Sequence, residues 1–211
     1  MKKIALFGGS GRTGQELLKQ ALPKGYHIRA LARTPDKIPQ QDATLDIVKG
    51  DVMNPEDVAA VVAGTDLVVS LFGHVKGSPP DLQTTGTRHI LQAMQQHNVQ
   101  RILSLSGGGL PYPEKDQPKL PDYMIRGVMK LFFTQMLKDA VEHASVLRTS
   151  DRDWSIVRAP RLTDGEHTGE YRVGWVGVNA GTQLSRADLA DFILREVEEN
   201  RFTEEMPFVS Y

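Results

Sequence analysis

Three glycines near the start of the chain have the spacing of a main-chain loop that holds a phosphate. Gly8, Gly11 and Gly14 stand between the apolar run IALF and a segment with helical spacing, and Arg12 and Thr13 lie among them. Glycine permits a tight turn and a close approach of the main chain to a ligand. The helix that follows offers free N–H groups and the positive end of its dipole. The pattern predicts pyrophosphate binding; a plain strand–turn–helix joint is the alternative.

Two arginines indicate which dinucleotide such a loop would hold. An NAD site usually has an acidic residue at the end of the second strand, where it binds the ribose hydroxyls. Here Arg33 occupies that place, after the run IRALA, and Arg12 lies in the glycine loop. Planar guanidinium groups suit a phosphate on the ribose 2′ oxygen. The sequence therefore predicts NADP(H) as cofactor, with a solvated surface charge as the alternative for each arginine.

The elements that would position these residues alternate along the chain. Segments with helical spacing lie between most of six short apolar runs, at residues 4–8, 28–32, 45–50, 66–73, 101–108 and 154–160. This alternation is typical of βαβ units and of a parallel sheet covered on both faces. We expect one α/β domain over residues 1–211, with a doubly wound, Rossmann-like parallel sheet. Asn54-Pro55-Glu56 and Thr34-Pro35-Asp36 each have the pattern of a helix start.

Two segments interrupt this alternation and follow the predicted carboxyl ends of strands. Residues 107–122 are rich in glycine and proline, and residues 160–186 carry glycines and aromatic side chains without helical spacing. Ligands of open α/β sheets bind at that edge. We interpret both segments as acceptor-site loops; ordinary surface loops are the alternative.

Composition limits the classes of function. The 211 residues include no cysteine and carry a net charge of −1, which argues against thiol chemistry and against nucleic-acid or membrane partners. Neither a signal peptide nor an apolar run long enough to span a membrane is recognisable, so we expect a cytoplasmic protein. The six histidines show no metal-ligand spacing, and no metal is predicted.

The motifs resemble those of a known superfamily. GGSGRTG is similar to the glycine motif of atypical and extended short-chain dehydrogenases, including the NmrA-like group. The likeness extends over nearly the whole chain through three further segments: GYHIRALART, VKGDVMNPEDVAAVVAGTDLVVSLFG and WSIVRAP. The chain most resembles the small flavin reductase/biliverdin-IX-beta reductase branch. The resemblance implies that Asp51 and Val52 border the adenine. It also implies that Leu71, Phe72 and Gly73 lie along the ribose and nicotinamide, with sheet core as the alternative for Leu71 and Phe72.

The catalytic residues expected of ordinary short-chain dehydrogenases are incomplete here. Ser106 fits their serine, but Tyr123 is followed four residues later by Gly127 instead of the lysine of a Tyr-x-x-x-Lys pair. The reductase branch also lacks that pair, and hydride transfer to a flavin needs little acid–base help. In that branch Ser106 would match a serine beside the nicotinamide and acceptor. Arg161 matches the position of a pocket histidine, and it is predicted either to stabilise an anionic acceptor or to be a surface charge.

Further side chains have two interpretations each. His74, after the fourth strand, faces the pocket or is structural. A group of apolar side chains forms either the wall for a flat acceptor ring or helix core: Tyr112, Tyr123, Met124, Phe132, Phe133 and Trp175.

Together these features predict an NADPH-dependent oxidoreductase that passes hydride to a planar small molecule: FMN or another flavin, a quinone-like compound or a linear tetrapyrrole. The alternative is a non-catalytic NADP(H)-binding redox sensor that acts through a protein partner. An isomerase or dehydratase would need a base that the sequence does not reveal. We expect a monomer or a weak homodimer.

Overall fold

The computed structural model describes residues 2–120, 123, 127 and 134–211. The strands are β1 Lys3–Phe7, β2 His27–Ala32, β3 Leu45–Lys49, β4 Leu67–Ser70, β5 Arg101–Gly107, β6 Asp153–Ala159, β7 Arg161–Thr163, β8 Arg172–Gly174, β9 Gln183–Ser185 and β10 Phe208–Ser210. The helices are α1 Arg12–Ala21, α2 Pro55–Val62, α3 Leu82–Gln96, α4 Thr134–Arg148 and α5 Arg186–Glu199. Two 3₁₀ turns lie at Leu22–Lys24 and Pro35–Lys37.

The main sheet has the strand order β3-β2-β1-β4-β5-β6-β10-β8. The first six of these strands are parallel, and the order reverses between β1 and β4. This arrangement confirms the predicted doubly wound, Rossmann-like fold, whose ligand crevice lies at that reversal. Strand β10 continues the parallel run, and β8 closes the edge antiparallel to β10. A separate parallel pair is formed by β7 and β9.

Alternate side chains of the strands supply two cores, one on each face of the sheet. From β1, Ile4 and Leu6 pack on one face, in a cluster with side chains of α1 and α5. Ala5 and Phe7 pack on the other, in a cluster with side chains of α2, α3 and α4. Strands buried on both faces explain the continuous apolar runs in the sequence.

The two predicted helix starts had different outcomes. Asn54 caps α2 by accepting a hydrogen bond from the Glu56 N–H, so this prediction is confirmed. Thr34-Pro35-Asp36 opens only the 3₁₀ turn Pro35–Lys37, and Thr34 makes no side-chain cap. The chain leaves that turn in an extended conformation at Ile38, whose side chain is buried against the sheet. The extended backbone that lets Ile38 bury its side chain is incompatible with a further helical turn, so the predicted helix does not form.

Candidate cofactor and acceptor site

The glycine loop, residues 8–14, packs closely against the main chain at the end of β4. Gly8 has φ +90°, and a Cβ at this position would lie 2.6 Å from the main chain of Leu71 and Phe72. A Cβ at Gly14 would lie 2.2 Å from the Gly8 carbonyl oxygen. Only glycine therefore fits at these two positions. At Gly11 the N–H donates to the Gly8 carbonyl at 3.0 Å, and the residue caps α1 in an extended conformation.

A cavity of about 180 Å³ opens beside this loop at the carboxyl edge of β1 to β4. Eight of the predicted cofactor residues line it: Gly8, Gly11, Arg33, Asp51, Val52, Leu71, Phe72 and Gly73. Thr13 is buried in the first turn of α1. The structure thus gathers the residues that the sequence assigned to the pyrophosphate, the adenine and the nicotinamide side into one crevice.

The two arginines assigned to the 2′-phosphate face different surroundings. Arg33 is exposed at the mouth of the cavity and forms no hydrogen bond or ion pair with any described residue. Arg12 does not line this cavity and instead pairs with Asp164 at 3.2 Å, in a cleft that Arg186 also lines. Arg33 is therefore placed to meet a phosphate as the structure stands, whereas Arg12 would first have to exchange its partner.

The turn after β3 is held by its own hydrogen bonds. The Asp51 N–H donates to the Asp57 carboxylate at 2.9 Å, and the Asp51 carboxylate accepts from the Met53 N–H at 3.0 Å. The Val52 carbonyl lies 3.0 Å from Nδ1 of His89. These contacts fix the main chain at the predicted adenine edge.

A second cavity, of about 250 Å³, adjoins the first and shares Leu71, Phe72 and Gly73 with it. Its walls come from the ends of β4 and β5, from α4 and from the start of β7, and are mostly apolar. These lining side chains include Leu105, Leu110, Met136, Leu137, Ala140 and Leu162. A largely apolar cavity with a few polar groups suits a flat organic molecule.

Ser106 supplies one of those polar groups. Its side chain lies at the end of β5 and is 5% exposed, and its Oγ has no hydrogen-bond partner among the described residues. Buried hydroxyl groups are normally hydrogen-bonded. Ser106 borders the cavity while its hydroxyl is buried, so this group is the candidate for a hydrogen bond to a bound ligand.

The structure does not bring Arg161 to Ser106. Pro160 and Leu162 line the second cavity, whereas Arg161 is exposed and donates to the Gln183 side chain at 3.3 Å. Side chains alternate along a strand, so the arginine in β7 points away from the wall that its neighbours form. The catalytic role of Arg161 stays a prediction without support from this geometry.

The chain's family follows from its sequence as a whole. A family described as NAD(P)H-binding matches residues 8–200. The chain belongs to this NAD(P)H-binding family. The predicted membership of an NAD(P)-binding, short-chain-dehydrogenase-like group is confirmed at this level.

Relatives and solved structures agree with the fold. The Bacillus subtilis protein YwnB is 25% identical over 209 residues, which cover 93% of this chain and 92% of YwnB. A short-chain dehydrogenase/reductase of Veillonella parvula, solved with NADP, superposes with a TM-score of 0.80 at 18% identity, covering 100% of this chain and 94% of that one. SP1627 of Streptococcus pneumoniae, whose name proposes an NADH-flavin reductase, superposes with a TM-score of 0.78 at 22% identity, covering 100% and 99%. At these identities the two superpositions establish the fold.

His74 is hydrogen-bonded to a buried carboxylate at the wall of the second cavity of this NAD(P)H-binding protein. Its side chain lines the cavity, and its Nε2 lies 2.6 Å from Asp139 Oδ2 on α4. The same carboxylate accepts the main-chain N–H groups of Gln83 and Thr84, which open α3. Burial alone would raise the pKa of Asp139. The hydrogen bonds that its carboxylate accepts, of which that from the Thr84 side chain has the largest effect, outweigh burial and lower the pKa. The sequence showed His74 but gave no sign of Asp139.

A second histidine joins α4 to the sheet. His143 is buried, with Nδ1 2.8 Å from Thr87 Oγ1 and Nε2 3.1 Å from Ser104 Oγ. Burial lowers the pKa of His143 to about 4, which Asp139 opposes only in part. His143 is therefore neutral at ordinary pH, and its role is to hold α3, α4 and β5 together.

Arg158 anchors the glycine-rich segment that borders the acceptor cavity. This arginine of β6 is fully buried and pairs with both carboxylate oxygens of Asp116 at 2.8 Å. It also donates to the main-chain carbonyls of Leu110 and Met206. An arginine inside the apolar run WSIVRAP was the available signal that sequence reasoning missed.

The aromatic wall predicted for the acceptor is wrong where the structure tests it. Tyr112 and Trp175 pack against each other with their rings tilted by 58° and their centroids 5.7 Å apart, and neither lines the cavity. Tyr123 is exposed. Met124, Phe132 and Phe133, like residues 121–122 of the first loop, lie outside the described residues. Among the described residues, the apolar part of the wall is mostly aliphatic, with Phe72 as its aromatic side chain.

None of the described helices is long and apolar enough to cross a membrane. Within the described residues, no group of three or more histidines and acidic residues is placed to hold a metal ion.

Proposed function

We propose that the protein is an NADPH-dependent reductase that passes hydride to a planar acceptor of the flavin, quinone-like or linear-tetrapyrrole class. The observation that carries this proposal is the junction of two cavities at Leu71, Phe72 and Gly73. The first has a glycine cradle and a free arginine, and the second is apolar with a partnerless serine. Such a pair would seat a dinucleotide with its nicotinamide beside a flat ring.

Bound NADPH would supply the hydride, so the protein's task is to bind and align. The main chain at Gly8, Gly11 and Gly14, with the N-terminus of α1, would hold the pyrophosphate. Arg33 would select the 2′-phosphate, and Arg12 would join it after releasing Asp164. The Ser106 hydroxyl would orient the nicotinamide side or the acceptor. This division of labour needs no Tyr-x-x-x-Lys pair.

Family membership and the named relatives support the proposal at different levels. The NAD(P)H-binding family supports the cofactor class. The name of the Streptococcus pneumoniae protein supports a flavin as one acceptor to test first. We further propose action in the cytoplasm as a monomer or weak homodimer, on a small molecule, without a nucleic-acid or membrane partner.

The deciding experiment mixes purified protein with NADPH and follows the reduced-nicotinamide absorbance with FMN, with a soluble quinone and without acceptor. Parallel reactions contain NADH. Acceptor-dependent oxidation that prefers NADPH is expected. Tight NADPH binding with no oxidation by either acceptor would reject the reductase and favour the alternative, a redox sensor that acts through a protein partner.

A further inference from the structure

We propose that His74 donates the proton that the acceptor needs and that Asp139 positions it. This inference rests on the proposed reductase function and names a catalytic residue for it. The pair lies 65 residues apart in the chain and meets on the wall of the acceptor cavity.

The Asp139 carboxylate acts as the acceptor in its hydrogen bonds with Gln83 and Thr84. Oδ1 accepts from the Thr84 N–H at 3.0 Å and from Thr84 Oγ1 at 2.5 Å. Oδ2 accepts from the Gln83 N–H at 2.8 Å and faces His74 Nε2 at 2.6 Å. The N-terminal end of α3 favours a negative charge here. Asp139 is therefore ionised and requires His74 to donate from Nε2.

This hydrogen bond determines the tautomer of the imidazole. With the proton fixed on Nε2, only Nδ1 is left to gain or release a proton. No hydrogen bond joins Nδ1 to any described residue. The His74 side chain is 10% exposed, and His74 is one of the residues that line the cavity. A carboxylate that orients an imidazole in this way also stabilises its protonated form.

The proposed reaction needs one proton besides the hydride. Two electrons and one hydrogen nucleus pass from NADPH to the acceptor as hydride, which leaves NADP⁺ and a reduced acceptor with one more negative charge. Nδ1 of the imidazolium would give its proton to that acceptor, and the neutral imidazole would regain a proton from solvent. Charge and atoms then balance without another oxidant or reductant.

The other polar groups considered near the cavity, all in the described part of the chain, are poorer donors. Arginine stays protonated in proteins, and Arg161 lies off the wall in any case. The Ser106 hydroxyl can orient a ligand, but it would have to recover its proton from another group. His74 combines a place on the wall with an imidazole ring, which can both hold and release a proton at Nδ1.

The test compares His74→Gln, His74→Ala and wild type with FMN and a soluble quinone. His97→Gln is the matched control, because His97 is exposed at the end of α3 and lines neither cavity. NADPH affinity is measured separately by fluorescence. We expect kcat of His74→Gln to fall by about 100-fold, as for loss of a general acid, while the Kd for NADPH changes less than about twofold. Added imidazole should restore part of the activity of His74→Ala alone.

A second readout does not depend on turnover. Nitrogen NMR of the protein without substrate should show the neutral His74 ring as the Nε2–H tautomer, and Asp139→Asn should disturb that preference. Activity of His74→Gln within about threefold of wild type, or equal loss of NADPH binding and turnover, would overturn the proposal while leaving the reductase function in place. Wild-type protein that reduces no acceptor would instead reject both.

Discussion

Arg33 is the residue on which cofactor choice depends. It stands at the cavity mouth, and no described residue pairs with its guanidinium, which leaves that group open to a phosphate. Arg33→Asp should raise the Kd for NADPH by at least about tenfold, because a charge-assisted hydrogen bond is lost and a repulsive carboxylate is gained. The Kd for NADH should change far less. Fluorescence titrations with both cofactors provide the measurement.

Arg88→Ser is the control for this substitution, since Arg88 is an exposed arginine paired with Glu142 on the helical face. Equal weakening of NADPH and NADH binding by Arg33→Asp would defeat the assignment of Arg33 to the 2′-phosphate.

His143 makes a separate contribution, to the pH dependence of stability. Burial lowers its folded-state pKa to about 4, against about 6.5 in the unfolded chain, so the unfolded state binds the extra proton between these values. This contribution to the free energy of unfolding is complete above pH 6.5 and is lost as the pH falls toward 4. Urea denaturation should therefore show a loss of about 2 kcal/mol between pH 6.5 and pH 5.

The variant His143→Asn should remove most of that slope, whereas His97→Gln should keep it. Carboxyl groups with a lowered pKa, such as Asp139 and Asp188, stabilise the fold until the pH falls to the usual pKa range of aspartate. Their titration therefore does not overlap the interval between pH 6.5 and pH 5. An unchanged slope in His143→Asn would show that another group titrates.

Among the elements, the segment after β5 is held by the buried ion pair between Asp116 and Arg158. Asp116 and Arg158 bind each other through two hydrogen bonds, and Asp116 also accepts the main-chain N–H groups of Tyr112 and Val176. Asp116→Ala would leave a fully buried guanidinium without its carboxylate. We expect the free energy of unfolding to fall by about 3–5 kcal/mol, measured by urea denaturation.

Glu142→Ala is the matched comparison, because Glu142 is exposed and pairs with Arg88, which is exposed too. Its loss should be below about 1 kcal/mol. Similar losses in the two variants would mean that Asp116 does not anchor the segment.

The sequence predicted the long elements and missed contacts between distant ones. Six apolar runs gave the six parallel strands, because strands buried on both faces leave an unbroken pattern. Strands β7 to β10 have only three residues each and carry no such pattern. The direction of Arg161 depends on how β7 pairs with β9, and the partner of His74 lies on a helix 65 residues away. Neither relation is local, so neither could be inferred from spacing.

In the candidate site too, features that follow from the parallel sheet could be predicted, whereas contacts between distant segments could not. Eight of the predicted cofactor residues line one cavity because the fold itself brings the carboxyl ends of parallel strands together. Arg12 was expected beside Arg33, but its pairing with Asp164 depends on the irregular segment 160–186. Side chains on such segments cannot be oriented from periodicity.

At the scale of the whole molecule, the two adjoining cavities predict a kinetic mechanism. Among the described residues they share only those at the end of β4, so the proposed cofactor and acceptor would have room to bind together. Initial rates at varied NADPH and FMN should give intersecting double-reciprocal lines, as a ternary complex requires. Saturating NADP⁺ should not displace FMN in a fluorescence titration. Parallel lines, the pattern of a ping-pong enzyme, would contradict simultaneous occupation.

The position of β10 limits the order in which parts of the sheet can form during synthesis. Strand β10 lies between β6 and β8, and β8 has no other partner strand among the described residues. Chains emerge from the ribosome with the amino-terminal part first. The glycine loop and strands β1 to β6 can therefore assemble while β8 still waits for Phe208–Ser210. A nascent chain acquires its nucleotide-binding half early, and the sheet edge beyond β6 is completed only when β10 arrives.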